Sequence, residues 1–161
     1  MADNVVLRRY RPADLDPISR LDEVCFAAHF QFNRTSMRRF AEARHAITLI
    51  AEEERAKTVG FVIVHLERTL GSTEGYVITL DVSPDKRRSG IAGLLMDEAE
   101  RLAGSTGVRR MRLHVSTEND AAIRFYESRN YARAGLRRRF YGVANGVEMD
   151  AFEYRKELQT T

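Results

Sequence analysis

Cysteine is almost absent from this chain: Cys25 is the single one in 161 residues. One thiol cannot close an internal disulfide, which excludes a stapled secreted scaffold and fits a reducing compartment. Long apolar runs are missing as well. No stretch approaches the roughly 20 residues that span a bilayer, and MADNVVLRRY lacks the apolar core of a signal peptide. The expectation is a cytoplasmic protein with no membrane partner. No His, Cys, Asp and Glu group has metal-ligand spacing, so no metal is expected. No serine–histidine–acid order stands out. Repeats, low-complexity tracts and linkers are lacking too, so residues 1–161 read as a single domain with its core at about 5–158.

What is present is a globular composition, 43% hydrophobic and 30% charged, long enough to bury a real core. The net charge of +3 comes mostly from arginine. It is clustered at Arg8-Arg9, Arg38-Arg39, Arg87-Arg88, Arg109-Arg110 and Arg137-Arg138-Arg139. Such clusters can mark a nucleic-acid face. Here 23 acidic residues are interspersed and no stripe lies on one helix, which argues against that partner. A modest excess suits small anionic ligands.

Hydrophobic periodicity predicts the element order. Val5–Arg9 reads as a strand, Leu15–Phe26 as a helix, and Ser36–Arg44 as a short helix capped by Thr35 or Ser36. Ile47–Glu53, Thr58–Glu67 and Tyr76–Val82 read as antiparallel strands, with Arg68–Gly75 as a loop. A helix follows from about Gly90 to Ser105, closed by Gly107. Arg110–Val115 alternates Met111, Leu113 and Val115 with Arg110, Arg112 and His114. Strand, helix, strand implies a parallel pair with a right-handed crossover. A last helix runs from about Asn119 to Ser128, with Asn130 placed for a left-handed cap. Arg133–Tyr141 and Val147–Glu157 are strands joined through Asn145-Gly146, a hairpin signal. The fold class is α/β with a mixed sheet.

The stretch DVSPDKRRSGIAGLLMDE, Asp81–Glu98, holds the clearest chemistry. A strand ends at a proline, a basic glycine-containing turn follows, and an apolar-faced helix begins. The first turn of a helix carries unpaired N–H groups and the positive end of its dipole, and a small-residue turn lets a phosphate approach them. Arg87 and Arg88 add fixed positive charge. A capped amphipathic helix after a basic turn is the bland alternative. The full order of strand, proline, two arginines, Gly-x-Ala-Gly and helix favours the anion site.

Arg87-Arg88-Ser89-Gly90-Ile91-Ala92 resembles the [Q/R]-x-x-G-x-[G/A] motif of the GNAT (GCN5-related N-acetyltransferase) superfamily, and Leu80-Asp81-Val82 its L-x-V-x-P lead-in. Leu113-His114-Val115, with Asn119, Ala122, Ile123, Phe125 and Tyr126, is similar to the L-[E/H]-V-x-x-x-N-x-x-A-[I/L]-x-[L/F]-Y block of the RimI-like protein N-terminal acetyltransferases. Glu23-x-Cys25-Phe26 fits loosely their E-x-x-F, and Phe140-Tyr141 their Y-Y segment. Two positions depart from the pattern. Asn130-Tyr131 stands for G-[F/Y], and His114 stands where bacterial RimI members have a carboxylate.

The resemblance implies six or seven mostly antiparallel strands with a parallel central pair, flanked by about four helices. It implies an enzyme that moves an acetyl group from acetyl-CoA to a primary amine, with CoA as product. The acceptor would be a peptide or protein N-terminus; a small-molecule amine and a non-catalytic CoA-binding module are the alternatives. A monomer or a homodimer is compatible. Amides from Arg88, Ser89, Gly90, Ile91, Ala92 and Gly93, beside Arg87, would hold the pyrophosphate. Leu80, Asp81 and Val82 would pair with the pantetheine, and Asn119 would bond nearby. Tyr126 would be the general acid, although its helical spacing alone marks a core tyrosine. His114 is the candidate base, equally readable as an exposed strand histidine; Glu118, Asp81 and Glu148 are weaker candidates. Phe30, Phe32, Phe140 and Tyr141 could clasp a peptide or merely close the core.

Overall fold

The structure is a computed structural model and describes residues 4–159. In chain order these residues form β1 (Val6–Arg9), α1 (Leu15–Cys25), α2 (Arg34–Ala41), β2 (Ala46–Glu53), β3 (Lys57–Thr69) and β4 (Ser72–Val82). Then come α3 (Ile91–Ser105), β5 (Arg110–Ser116), α4 (Asp120–Ser128), β6 (Ala132–Arg137), β7 (Val143–Ala144), β8 (Val147–Glu148) and β9 (Ala151–Glu157). Seven strands build one sheet in the order β1-β2-β3-β4-β5-β9-β6, and β7 and β8 form a separate ribbon. Every pairing in the main sheet is antiparallel except β4 with β5, the pair that α3 connects. The expected mixed sheet with one parallel pair and four helices is borne out.

Alternation along the central strands feeds two cores, one on each face. Ile47, Leu49 and Ala51 of β2, with Val62 and Val64 of β3, face α3 and α4 through Leu95, Met96, Ala99 and Tyr126. Ile50, Phe61 and Ile63 face the other way, onto Leu15, Ile18 and Leu21 of α1 and Met37 of α2. Met111, Leu113 and Val115 lie on the α3 side, as their spacing predicts. On α3 the buried positions are Ile91, Leu95, Met96, Ala99 and Ala103, whereas Leu94 is exposed. Among the described residues no helix is long and apolar enough to cross a membrane.

Several local expectations are corrected. Arg68–Gly75 is no loop: β3 and β4 pair out to Thr69 and Ser72. Their turn is Leu70-Gly71, both at positive φ, the geometry that matches strand twist in two-residue hairpins. The cap of α2 is Asn33, whose side chain accepts the Ser36 N–H at 2.8 Å. Asn145-Gly146 does make a tight hairpin, but it joins only the short β7 and β8. The longer partners β6 and β9 meet through that insertion, with β9 inside and β6 at the edge. Asn130 does take the left-handed conformation, at φ 72°.

One irregularity positions everything that follows. In the β3–β4 register Val64 pairs with Val77 and Ile63 with Thr79, so Ile78 is an extra residue in β4. Such a bulge bends its strand and sharpens its twist. Parallel pairing of β4 with β5 runs from Glu74 to Val77 and stops there. Beyond the bulge, β4 continues to Val82 with no strand of the described residues on its second edge, while β5 stays paired with β9 through Ser116. The sheet is thus split between β4 and β5 at their C-terminal ends.

Candidate active site

A cleft of about 410 Å³ occupies the split. Its walls are Val77 to Leu80 of β4 and Leu113 to Ser116 of β5, with Asn119, Ala122 and Tyr126 of α4 below and Phe30 and Tyr141 at the mouth. The N–H of Ser83 turns toward β3 and donates to the Val59 carbonyl at 2.8 Å. Successive strand N–H groups point to opposite edges. The N–H of Val82 therefore faces the open edge.

The turn after β4 leads straight into α3. Its first intrahelical bond runs from the Leu94 N–H to the Gly90 carbonyl, 3.0 Å, which leaves the amides of Ile91, Ala92 and Gly93 without helical partners. No side chain among the described residues caps them. Gly90 sits at φ 91°, a left-handed conformation that costs glycine little, and Arg88 precedes it at φ 64°. The turn is braced by the Ser89 hydroxyl donating to the Lys86 carbonyl and by a 3.0 Å ion pair of Lys86 with Glu53. Arg87 and Arg88 are exposed around it.

Tyr126 lies at the cleft floor, edge-on to Phe125 and Tyr131. Its hydroxyl has no hydrogen-bond partner among the described residues. Burial, reinforced by Asp81 and Tyr141, pushes its pKa well above that of a free phenol. Asn119 caps α4 by accepting the Ala122 N–H at 3.1 Å, and it also borders the cleft. Its cap uses the carbonyl oxygen only.

His114 is far from an exposed strand histidine. Its side chain is 3% accessible, stacked on the Phe140 ring at 4.4 Å. Its Nδ1 lies 2.7 Å from the Tyr76 hydroxyl and its Nε2 3.5 Å from Glu153 Oε1. Burial lowers its pKa, with Arg112 and Arg137 adding to the effect and Glu153 opposing it. Burial raises that of Tyr76 to about 12, while Arg112, 4.6 Å above the Tyr76 ring, opposes the rise. A neutral imidazole whose Nδ1 accepts a hydrogen bond from the Tyr76 hydroxyl is the state these directions favour.

Of the four predicted clasp residues, three meet. Phe30 and Tyr141 are edge-on at 4.8 Å, Phe140 and Tyr141 at 4.9 Å. Phe32 borders the cleft but turns its ring onto Phe40 at 5.1 Å, within the α1–α2 core. Glu118 lines the cleft. Glu148 is drawn instead to Arg139 and Arg138 on the outer hairpin.

Known proteins share the chain's family pattern and its fold. The sequence pattern described as "Acetyltransferase (GNAT) family" matches residues 15–131. The chain belongs to that family. Its fold is shared with the ribosomal-protein-S18-alanine N-acetyltransferase of Escherichia coli, TM-score 0.83 at 20% identity over 98% of this chain and 96% of that one. It is shared equally with Arabidopsis thaliana NAA60 in complex with a bisubstrate analogue, TM-score 0.83 at 20% identity over 98% and 99%. By sequence it is 34% identical to N-alpha-acetyltransferase 60 of Xenopus tropicalis over 88 residues, 52% of this chain and 36% of that protein. The chain spans less than half the length of the curated relatives it matches. A further structure of the same fold is Arabidopsis thaliana NAA60 in complex with acetyl-CoA, TM-score 0.83 at 20% identity over 96% of this chain and 98% of that one.

Two features of the acetyltransferase escape a reading of its sequence. Local pattern presents Tyr76 only as a strand residue; with β4 and β5 parallel, it pairs beside Arg112 and so lies next to His114. That neighbourhood is deducible from the predicted crossover. The Ile78 bulge is not, because Tyr76–Val82 alternates like an ordinary strand.

Proposed function

We propose that this acetyltransferase acetylates the N-terminal α-amine of a peptide or protein. The reading is carried by one observation: the cleft that starts at the open edge of β4 reaches the buried His114, hydrogen-bonded to Tyr76. Bound acetyl-CoA supplies the thioester carbonyl that the amine attacks, and CoA leaves. The residues present fit that donor. Uncapped amides of Ile91, Ala92 and Gly93, with Gly90, Ser89, Arg88 and Arg87 around them, suit its pyrophosphate. The free edge at Leu80, Asp81 and Val82 suits a pantetheine laid down as an added strand. The Asn119 amide N–H₂ is free to donate there, and the Val82 N–H is placed to stabilise negative charge on the carbonyl oxygen.

Proton movement falls to three side chains. Tyr76 gives its proton to Nδ1 of His114 as it takes one from the amine, directly or through water. A depressed histidine pKa keeps Nδ1 open for this at neutral pH. Tyr126 protonates the departing thiolate. Free phenol and thiol differ by about 1.5 pKa units, and the dry cleft raises both, so the buried phenol is still a workable acid. Phe30, Phe140 and Tyr141 line the entry where the acceptor chain would lie.

Basicity favours the α-amine. At pH 7.5 a lysine of pKa ~10.4 costs roughly 4 kcal/mol to neutralise, an N-terminal amine of pKa ~7.7–8.0 under 1 kcal/mol. One screen tests the reading: thiol release from acetyl-CoA with free N-terminal peptides, N-terminally blocked lysine peptides and small amines. Free N-termini should be turned over fastest. Turnover confined to small amines would overturn it.

A further inference from the structure

Two aspartates are buried together beneath the reacting end of β4. Asp22, on the last turns of α1, is 0% exposed, and Asp81, next to Val82, is 1% exposed. Each has one satisfied oxygen. Asp22 Oδ2 accepts the Phe32 N–H at 2.9 Å, and Asp81 Oδ1 accepts the Thr79 hydroxyl at 2.5 Å. The remaining oxygens, Asp22 Oδ1 and Asp81 Oδ2, are buried with no hydrogen-bond partner among the described residues, and each carboxyl acts on the other's titration. One proton held between the two carboxyls would satisfy both orphaned oxygens, one carrying it and the other accepting. We propose that Asp22 and Asp81 share one buried proton and so act as a positioning clasp, holding the end of α1 and the acceptor loop (residues 27–33, which carry Phe30) against β4.

The charged and titratable groups facing the pair do not neutralise it. They are Glu23 and Cys25 of α1, Arg87 of the turn after β4, and Tyr126 of α4. Arg87 spends its Nε on the Val82 carbonyl at 3.4 Å, and among the described residues no cation is hydrogen-bonded to either carboxyl. Burial, then Asp22 itself, pushes the Asp81 carboxyl far above the usual aspartate range. Two bare carboxylates side by side would repel at low dielectric, so the pair keeps one proton at neutral pH.

What the clasp holds explains its use. The Asp22 carbonyl accepts the Phe26 N–H at 3.1 Å while its side chain holds Phe32, so this one residue brackets the segment that carries Phe30. Cys25 Sγ adds a bond to the Val82 carbonyl at 3.3 Å. Acceptor loop and donor strand are thereby registered through a single proton.

The test uses the full chain and two substitutions. In Asp22→Asn the new amide can accept from Phe32 and donate to Asp81, keeping the bond and the net charge without a proton to lose; Asp22→Ala breaks it. Carboxyl ¹³C NMR of aspartate-labelled protein, run without acetyl-CoA, should show one aspartate protonated at pH 7 in the wild type. All aspartates ionised at pH 7 would overturn the shared proton. Because the folded pKa is raised, stability is greatest below the unfolded pKa near ~4 and is lost as pH rises toward the folded value, the unfolding constant growing by up to about tenfold per pH unit. In Asp22→Asn that loss should end at least about one unit lower. The rate arm rests on the function proposed above and uses whichever amine is turned over. There Asp22→Asn should hold kcat/KM at pH 7 within about threefold and lose the wild type's alkaline decline, whereas Asp22→Ala should lose about tenfold or more and raise the acceptor KM. Equal pH profiles for wild type and Asp22→Asn would overturn the positioning role. Should the alanine variant fail to fold, the NMR and the Asp22→Asn profiles still decide. Failure of the amine screen with a protonated aspartate present would overturn the substrate reading and leave the shared proton standing.

Discussion

The phenol oxygen of Tyr76 lies 2.7 Å from Nδ1 of His114, although 38 positions separate them in the chain. Parallel pairing of β4 and β5 creates this contact at the last rungs before the sheet splits. Tyr76→Phe and His114→Ala should each lower kcat/KM by about 10²–10⁴-fold, the usual worth of a positioned acid or base. If the two act as one proton acceptor, the double variant should be hardly worse than the poorer single one. Losses that multiply in steady-state assays would separate them.

The His114 imidazole should titrate below the ordinary ~6.5, because burial disfavours its charged form. The sign follows directly. The unfolded chain takes up a proton that the folded chain refuses, so this group's share of stability is lost as pH falls from about 6.5. NMR titration of the ring should show the low midpoint, and Glu153→Gln should depress it further, since Glu153 favours the imidazolium. A midpoint at or above the free value would refute the buried, neutral state.

Tyr126→Phe removes a hydroxyl that no described protein group holds while keeping the ring that packs on Phe125 and Tyr131. Thermal stability should barely change and acetyl-CoA affinity should persist. Turnover should drop by about 10²-fold or more. Unchanged turnover would remove the phenol from the reaction.

At Gly90 a Cβ would meet no neighbour, but φ 91° strains any L-residue, by roughly 1–2 kcal/mol. Gly90→Glu adds a carboxylate beside the open amides of α3. Titration calorimetry should find acetyl-CoA binding abolished, with a lowered but cooperative melt. Retained affinity would place the pyrophosphate elsewhere.

Deleting Ile78 removes the extra residue of β4 and makes the β3–β4 register continuous. β4 can then run on beside β5 and close the slot. The expected outcome is a folded chain, by circular dichroism, that no longer binds acetyl-CoA. Binding by the folded deletion would show that the opening has another cause.

Legibility differs from place to place for physical reasons. The segment around Gly90 can be read because proline, glycine and paired arginines punctuate a helix start chemically. The left-handed turn at Asn130 is readable because asparagine tolerates it. Met111, Leu113 and Val115 declare their face by simple alternation. The β3–β4 hairpin is hidden, since Arg68, Thr69, Ser72 and Thr73 look polar where both strands leave the core. Pairing of β6 with β9 around an inserted ribbon depends on contacts distant in sequence, which local pattern does not carry. The joint burial of Asp22 and Asp81 is equally invisible: each aspartate alone looks like a solvated surface residue, and only the packing of α1 onto β4 covers both.

The split beyond Ile78 has a consequence for inheritance. An unpaired strand margin and a bare helix start consist of main-chain atoms, which every amino acid possesses. Substitution can therefore rewrite four residues in five while the fold persists, as the 20% identity to the bacterial and plant enzymes shows, and such main-chain features do not depend on side-chain identity. The rim built from Phe30, Phe140 and Tyr141 enjoys no such immunity. A change of side chain can therefore reshape that rim while the strand margin and the helix start stay as they are.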